Sequence, residues 1–269
     1  MSISGLVIGS RKAGTTWIYE NLKSNPNFCV SEKVKESGFF TGESGLTYTE
    51  YENLFDNYNH GEIKVEVDAS VCYSDKFPEC IKQYASQSRV ILILRNPSEY
   101  LVSRYIHSKR KGEIKQNSIT EAIKQNEWLR DEIDYPKIVA RLSEFKKEQV
   151  LILPFEYLLK DPKCFYNDIV VFLSNGCVTT DPQEIIQEKI NVARNSKLPF
   201  LSKLLSSSAK LVRKLGLHGV VNAFKKTGIL RLIDSGIKKN DKELLLTEAS
   251  KLVMEDFKES LRIWQMIQK

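Results

Sequence analysis

Gly5-Leu6-Val7-Ile8-Gly9-Ser10-Arg11-Lys12-Ala13-Gly14-Thr15-Thr16-Trp17 is the stretch whose reading decides the fold. Leu6, Val7 and Ile8 form a short apolar run rich in β-branched residues, the pattern of a buried strand. Gly9 and Gly14 frame a turn that carries Arg11 and Lys12, and Thr15 and Thr16 open a helical segment, Trp17 to Lys23. A strand, a glycine-framed basic turn and a helix N-terminus together make a phosphate cradle. Backbone N–H groups and the helix dipole point at the anion, and glycine lets the chain approach it closely.

Outward from that stretch, Asn25-Pro26-Asn27 breaks the chain, and Phe28-Cys29-Val30 is a short second strand. Residues 41–62, rich in Gly, Asn and Tyr, read as a loop with one helical turn. Lys64-Val65-Glu66-Val67-Asp68 alternates like a strand at a sheet edge, and a helix is predicted over Pro78 to Ser86. Arg89-Val90-Ile91-Leu92-Ile93-Leu94 is the strongest strand, with the five-residue apolar run of a central parallel strand. Arg95-Asn96-Pro97 ends it, with proline near the first position of the next helix. Helical patterns follow at 119–129 and 134–147. Val150 to Leu153 is a further buried strand, and a helix runs from Asp161-Pro162 to Leu173. Beyond Asp181 the chain reads as helices and loops. Strands alternating with helices predict an α/β fold: a parallel sheet sandwiched between helices in three layers, with a helical C-terminal part. A single domain over 1–269 is expected, with residues 1–180 as the α/β core and 181–269 as the helical region.

In a sheet of this kind ligands sit at the carboxyl ends of the strands, where Lys12 and Arg95 both fall. The first turn has the glycine spacing of a P-loop, G-x-x-x-x-G-K-[ST]. Thr15 stands where its lysine belongs, however, and the lysine lies two residues before Gly14. That displacement argues against an ordinary NTP hydrolase. Ser103, eight residues after Arg95, falls roughly two turns into the helix that Pro97 starts, where its hydroxyl can serve an anion that Arg95 also grips. Two anion sites fit a nucleoside phosphorylated at both ends better than ATP, whose phosphates form one string.

Composition narrows the class further. The net charge of +6 is unevenly placed: between Phe200 and Asn240 nine Lys/Arg face the single acid Asp234. The five cysteines are odd in number and form no C-x-x-C pair, which disfavours a disulfide framework or a zinc site and suits a reducing cytosol. No stretch reads as a signal peptide or a transmembrane run. The expectation is a cytoplasmic protein with no metal and no nucleic-acid partner.

At these residues the chain resembles the sulfotransferases that use 3′-phosphoadenosine 5′-phosphosulfate (PAPS). Lys12-Ala13-Gly14-Thr15-Thr16-Trp17 is similar to their K-x-G-T-T-W element for the 5′-phosphosulfate, and Arg95-Asn96-Pro97 through Ser103 and Tyr105 to their R-N-P-x5-S-x-Y element for the 3′-phosphate. Lys35-Glu36-Ser37-Gly38-Phe39-Phe40 resembles the K-E-x-x-F-F segment of carbohydrate O-sulfotransferases and their bacterial relatives. Asp68-Ala69-Ser70-Val71-Cys72-Tyr73 follows their E-x-S-P-x-Y with Asp for Glu and without the proline. Tyr135, Phe145, Gln149 and the run Phe155-Glu156-Tyr157-Leu158 to Asp161-Pro162 match the bacterial frame.

The resemblance implies a metal-independent sulfuryl transfer from PAPS to a hydroxyl acceptor, with carbohydrate the first candidate, leaving adenosine 3′,5′-bisphosphate. Such a transfer is an in-line displacement, in which positioning and charge stabilisation do most of the work. Lys12 then meets the charge on the leaving oxygen. Arg11, Lys12, Ala13, Gly14, Thr15 and Thr16 line the 5′ side, and Trp17 lies against the adenine. Arg95 and Ser103 bind the 3′-phosphate, and Arg194, with Lys197, closes over the nucleotide. Glu36 takes the proton from the acceptor, a role that calls for partial burial.

Other readings of the same residues stay open. His107 and His60 are alternative bases. Trp17 also suits plain helix–sheet packing. Lys109, Arg110, Lys111 and Lys115 form either a solvated loop or a basic rim for an anionic acceptor. The 200–240 segment is either a packing helix or an amphipathic contact with a membrane surface. The alternative of a different class is a P-loop nucleotide binder or small-molecule kinase that carries out no sulfuryl transfer.

Overall fold

A computed structural model describes residues 3–179, 195–196, 234–235 and 239–268. Arg194, Lys197 and almost all of the basic 200–240 segment lie outside the described residues. The chain divides into two compact units, one of residues 1–97, 130–190 and 257–269, the other of 98–129 and 191–256.

The first unit is built on a five-stranded sheet, all of whose neighbours run parallel. Its strands are β1 (Gly5–Val7), β2 (Phe28–Cys29), β3 (Ile63–Val67), β4 (Arg89–Leu94) and β5 (Val150–Pro154), in the spatial order β2-β3-β1-β4-β5. β4 buries five consecutive apolar residues, Val90 to Leu94, and the alternation of side chains sends them to two cores. Ile91 and Ile93 join Val7, Val65 and Val67 under the helices α1 (Thr15–Ser24), α8 (Phe155–Lys160) and α9 (Pro162–Leu173). Val90, Leu92 and Leu94 join Leu6 and Ile8 on the opposite face, with Phe39, Phe40, Tyr51, Phe77 and Tyr135. That face also takes α2 (Tyr48–Glu52), α3 (Phe77–Tyr84), α7 (Tyr135–Ala140) and the C-terminal helix α11 (Lys258–Ile267). The expected layered α/β fold is therefore observed, with helices on both faces of a parallel sheet.

Local signals explain the helix boundaries. Thr47 and Glu50 close a reciprocal capping box on α2. The Asp161 side chain accepts the Lys163 and Cys164 N–H groups at the start of α9, where Pro162 stands in the first turn. The patterns read as continuous helices at 119–129 and 134–147 are shorter pieces: α5 (Ile119–Gln125), α6 (Glu127–Asp131) and α7, because Asn126 and Arg141 terminate the turns before them. In the second unit, α4 (Pro97–Lys111) leads on from β4, and α10 (Lys239–Asp256) packs on α5, where the Thr120 N–H reaches Glu248 at 2.8 Å. A two-residue antiparallel pair, β6 (Asn195–Ser196) with β7 (Asp234–Ser235), interrupts a region read as helices and loops. Among the described residues no helix is long and apolar enough to cross a membrane.

The strand at 63–67 corrects an expectation. It is not at an edge: β2 covers one side and β1 the other. Its alternation is of apolar residues against buried polar ones, since Lys64, Glu66 and Asp68 are all sequestered. Each finds a partner, as burial demands. Lys64 pairs with Glu52 at 3.0 Å and lies over the Tyr58 ring at 4.8 Å. Glu66 Oε1 accepts the Ser37 N–H at 3.2 Å and its Oε2 the Tyr51 hydroxyl at 3.4 Å. Asp68 Oδ2 accepts the Gly38 N–H at 2.9 Å, while its Oδ1 takes the N–H and hydroxyl of Ser70.

Burial, followed by the Asp68 charge, lifts the Glu66 carboxyl from its ordinary 4.5 to about 8. A carboxyl that holds its proton more tightly when folded contributes stability below its unfolded pKa and loses it as pH climbs to the folded value. Glu66→Gln removes this titration. The melting temperature of the variant minus that of the native chain is expected to rise from pH 5 to pH 8 and level off above. A difference constant over that range contradicts the burial argument.

Candidate functional site

The basic turn is welded to the sheet before it leaves it. Beyond β1 the ladder with β4 continues: the Ile8 N–H donates to Ile91 at 3.0 Å, the Ser10 N–H to Ile93 at 2.7 Å and the Ile93 N–H to Gly9 at 2.8 Å, while Ser10 Oγ adds a bond to the Ile93 carbonyl at 2.9 Å. Gly9 has φ 146°, and a Cβ there would collide with Cys72 Sγ. The turn ends at Gly14, whose φ of 82° makes it a left-handed N-cap of α1. No side chain caps this helix and its first turn holds no acid, so the positive end of the dipole is left unneutralised by the helix's own residues.

Lys12 itself adopts φ 63°, a conformation that costs a non-glycine residue about 1–3 kcal/mol and is retained where surroundings impose it. Three contacts impose it here. The Arg95 guanidinium donates to the Lys12 carbonyl at 3.4 Å. The Arg11 N–H donates to the Tyr73 hydroxyl at 3.1 Å, and the Arg11 guanidinium lies 5.1 Å from the centre of that ring. Arg11 Nη1 also meets the buried Glu132 at 2.6 Å. Thus Lys12 and Arg95, separated by 83 residues, are brought together at the carboxyl ends of adjacent strands. Arg95 is further fixed over the Phe155 ring at 4.9 Å.

The Glu36 segment stands at the same edge. Lys35 Nζ lies 3.4 Å from Thr15 Oγ1 and 2.8 Å from Glu36 Oε1. Glu36 is exposed, with 51% of its side chain accessible, so the expected partial burial is not observed. The reason is local: Glu66 and Asp68 clamp the backbone of Ser37 and Gly38, Phe39 and Phe40 go into the core, and the side chain before them is left in solvent with Lys35. Tyr73 and Asp68 belong to one short motif, and its spacing now has a physical content: the acid holds the Glu36 turn and the tyrosine holds the Lys12 turn.

The remaining expected site residues are placed differently. Ala13 is buried, and Trp17 is packed in the core edge-on to Tyr166 at 5.9 Å and tilted on Phe165 at 6.3 Å. The Trp17 ring is thus committed to packing rather than presented as an open face. Thr15 is buried and Thr16 half-buried in the first turn of α1. Ser103 is half-buried on α4 in the second unit. His107, one of the alternative bases, contacts Arg110 at 3.3 Å in that same unit, and His60 is an exposed turn residue. Lys109 is tied to the carbonyls of Lys115 and Gln116 at 3.1 and 2.8 Å, closing the loop after α4. Arg194 is outside the described residues. Glu132 escaped sequence reading because nothing local marks a carboxylate between two short helices as the partner of Arg11, 121 positions away.

Comparison with known proteins agrees with this architecture. Residues 4–227 match the family described as the sulfotransferase domain. The chain belongs to that family. It is 24% identical over 209 residues to the bifunctional heparan sulfate N-deacetylase/N-sulfotransferase 4 of Mus musculus, an alignment covering 66% of this chain and 24% of the mouse protein. The chain therefore spans about a quarter of that relative. In fold it resembles the crystal structure of a sulfotransferase from Alicyclobacillus acidocaldarius, with a TM-score of 0.58, 20% identity, and coverage of 82% of this chain and 96% of the other.

Gly14→Ala tests the turn directly. The new Cβ would sit 2.6 Å from Leu158 Cδ2 in a left-handed conformation. A loss of about 1–3 kcal/mol in urea unfolding is expected, and an unchanged midpoint would show that the turn relaxes freely.

Proposed function

We propose that the chain transfers the sulfuryl group of PAPS to a hydroxyl acceptor, and that the acceptor is a carbohydrate or glycoconjugate. The observation that carries this reading is the contact of Arg95 with the Lys12 carbonyl, which brings the guanidinium that follows one strand to the basic turn that follows its neighbour, beside an uncapped helix N-terminus. This donor chemistry fits an anion with phosphates on two sides of a nucleoside. Arg11, Lys12, Gly14, Thr15 and Thr16 would hold the 5′ side, and Arg95 the 3′-phosphate, with Ser103 and Arg194 assigned to the nucleotide by resemblance. When bound, PAPS supplies an activated sulfuryl group; Lys12 meets the negative charge on the departing oxygen, and Glu36 takes the proton of the acceptor hydroxyl. Metal independence is part of the proposal, because the residue that follows β4 is the cation Arg95 rather than an acid and sulfuryl transfer carries less charge to neutralise.

Carbohydrate is favoured by two observations. The Glu36-x-x-Phe39-Phe40 segment matches the carbohydrate O-sulfotransferases, and the mouse relative is named for heparan sulfate. A screen of sugar, phenol and lipid acceptors with labelled PAPS is expected to show label on sugars, and label confined to phenols or lipids would overturn that part.

Two further outcomes are expected. Adenosine 3′,5′-bisphosphate at 100 times its Kd should stabilise the protein by about 2.7 kcal/mol without a divalent ion, whereas a kinase would respond to ATP with Mg²⁺ instead; no thermal shift with the bisphosphate would remove the reading. Glu36→Gln should abolish most turnover, on the order of 10²-fold or more, and leave bisphosphate binding intact. Retained turnover would move the base to His107 or His60.

A further inference from the structure

The peptide group between Arg95 and Asn96 is gripped at both ends. Its carbonyl accepts the Tyr135 hydroxyl at 2.6 Å, and its N–H donates to Glu156 Oε1 at 2.9 Å. Each grip leads back to the same helix. Ser260 Oγ accepts the Tyr135 N–H at 3.1 Å, and Trp264 Nε1 donates to Glu156 Oε2 at 2.9 Å, with Gln268 reaching the same oxygen at 3.4 Å. Ser260 and Trp264 are four residues apart, one above the other on one face of α11. That face is seated on the core by Ile263 and Ile267. Ser260 and Tyr135 are buried, so the bond between them is shielded from water, and leaving it unmade costs the desolvation of its partner. Burial, and then the neighbouring Glu156, hold the Tyr135 phenol above its ordinary range, so it stays a donor at any working pH.

We propose that α11 is a positioning element for the 3′-phosphate turn: Ser260 and Trp264, acting through Tyr135 and Glu156, fix the plane of the Arg95–Asn96 peptide and with it the direction of the Arg95 side chain. The proposal rests on the reading of Arg95 as the 3′-phosphate ligand. It does not follow from the family, because the family match ends at residue 227 and both α11 residues lie beyond it. The peptide plane sets the exit vector of Cβ from Arg95, and a guanidinium at the end of a long side chain magnifies a small rotation there. A misplacement of about 1 Å at a positioned group can cost on the order of 10²-fold in function.

The test compares two ligands on the full-length chain by titration calorimetry: adenosine 3′,5′-bisphosphate and adenosine 5′-monophosphate, which lacks the 3′-phosphate. The native chain is expected to prefer the bisphosphate, and Arg95→Ala to lose that preference. Ser260→Ala combined with Trp264→Phe should cut the preference by about five- to tenfold while leaving monophosphate affinity nearly unchanged. Trp264→Phe alone keeps the ring that packs on the core and serves if the double variant does not fold; about a threefold cut is expected. Equal losses for both ligands mean general loosening and overturn the proposal, as does an unchanged preference. If Arg95→Ala retains the preference, the assignment of Arg95 fails first and the proposal falls with it, an outcome distinct from failure of the α11 variants alone.

Discussion

Everything at the site depends on β1 and β4 running side by side in register. Gly5, Leu6 and Val7 pair with Arg89, Val90 and Ile91, and the ladder extends past the formal end of β1 through Ile8, Gly9 and Ser10. Because the strands are parallel and aligned, the turns that follow them emerge at the same edge and at the same height. A slip of one residue would invert which apolar residues of β4 face each core, and a slip of two would separate Lys12 from Arg95 by about 7 Å. The five consecutive buried residues of β4 make either slip costly. The site therefore inherits its geometry from core packing, and the loops only finish it.

That dependence explains what could be read from the sequence. The apolar runs at 6–8 and 90–94, the glycine pair at 9 and 14 and the proline at 97 are local signals with direct physical meaning, and the structure places them as their chemistry requires. The site was legible to the extent that its residues stand next to such signals, as Lys12 and Arg95 do. Glu66 and Asp68 were not legible as buried groups, since a charged residue in a strand ordinarily marks a solvated face. Their burial depends on Ser37, Gly38 and Tyr51, whose proximity is a property of the folded chain. Glu36 departs in the opposite sense: the partial burial expected of it is absent, and the buried acid of this region is Glu66 on β3.

The acids near the turn pose an electrostatic question. Glu132 and Glu156 put two carboxylates close to groups assigned to an anion, and at an effective dielectric of about 20 a like charge at 4 Å is worth about 4 kcal/mol. Both are spent on protein donors. Glu132 takes Arg11 Nη1 at 2.6 Å, and Glu156 takes the Asn96 N–H and the Trp264 indole. Glu132 thereby orients the Arg11 guanidinium, and Glu156 fixes the Asn96 backbone through neutral donors.

Such an arrangement favours rigidity over raw charge. Stabilisation of a developing negative charge depends on donors that need not reorganise when it appears. A lysine at φ 63° makes a strained turn, and strain persists only where the surroundings over-determine it. Tyr73, Glu132 and Arg95 supply that determination from three separate segments, and Tyr135 and Glu156 extend it to Arg95 itself. The cost of holding the turn in this shape is met during folding by buried hydrogen bonds and core packing, so the turn's backbone is fixed by the protein's own contacts.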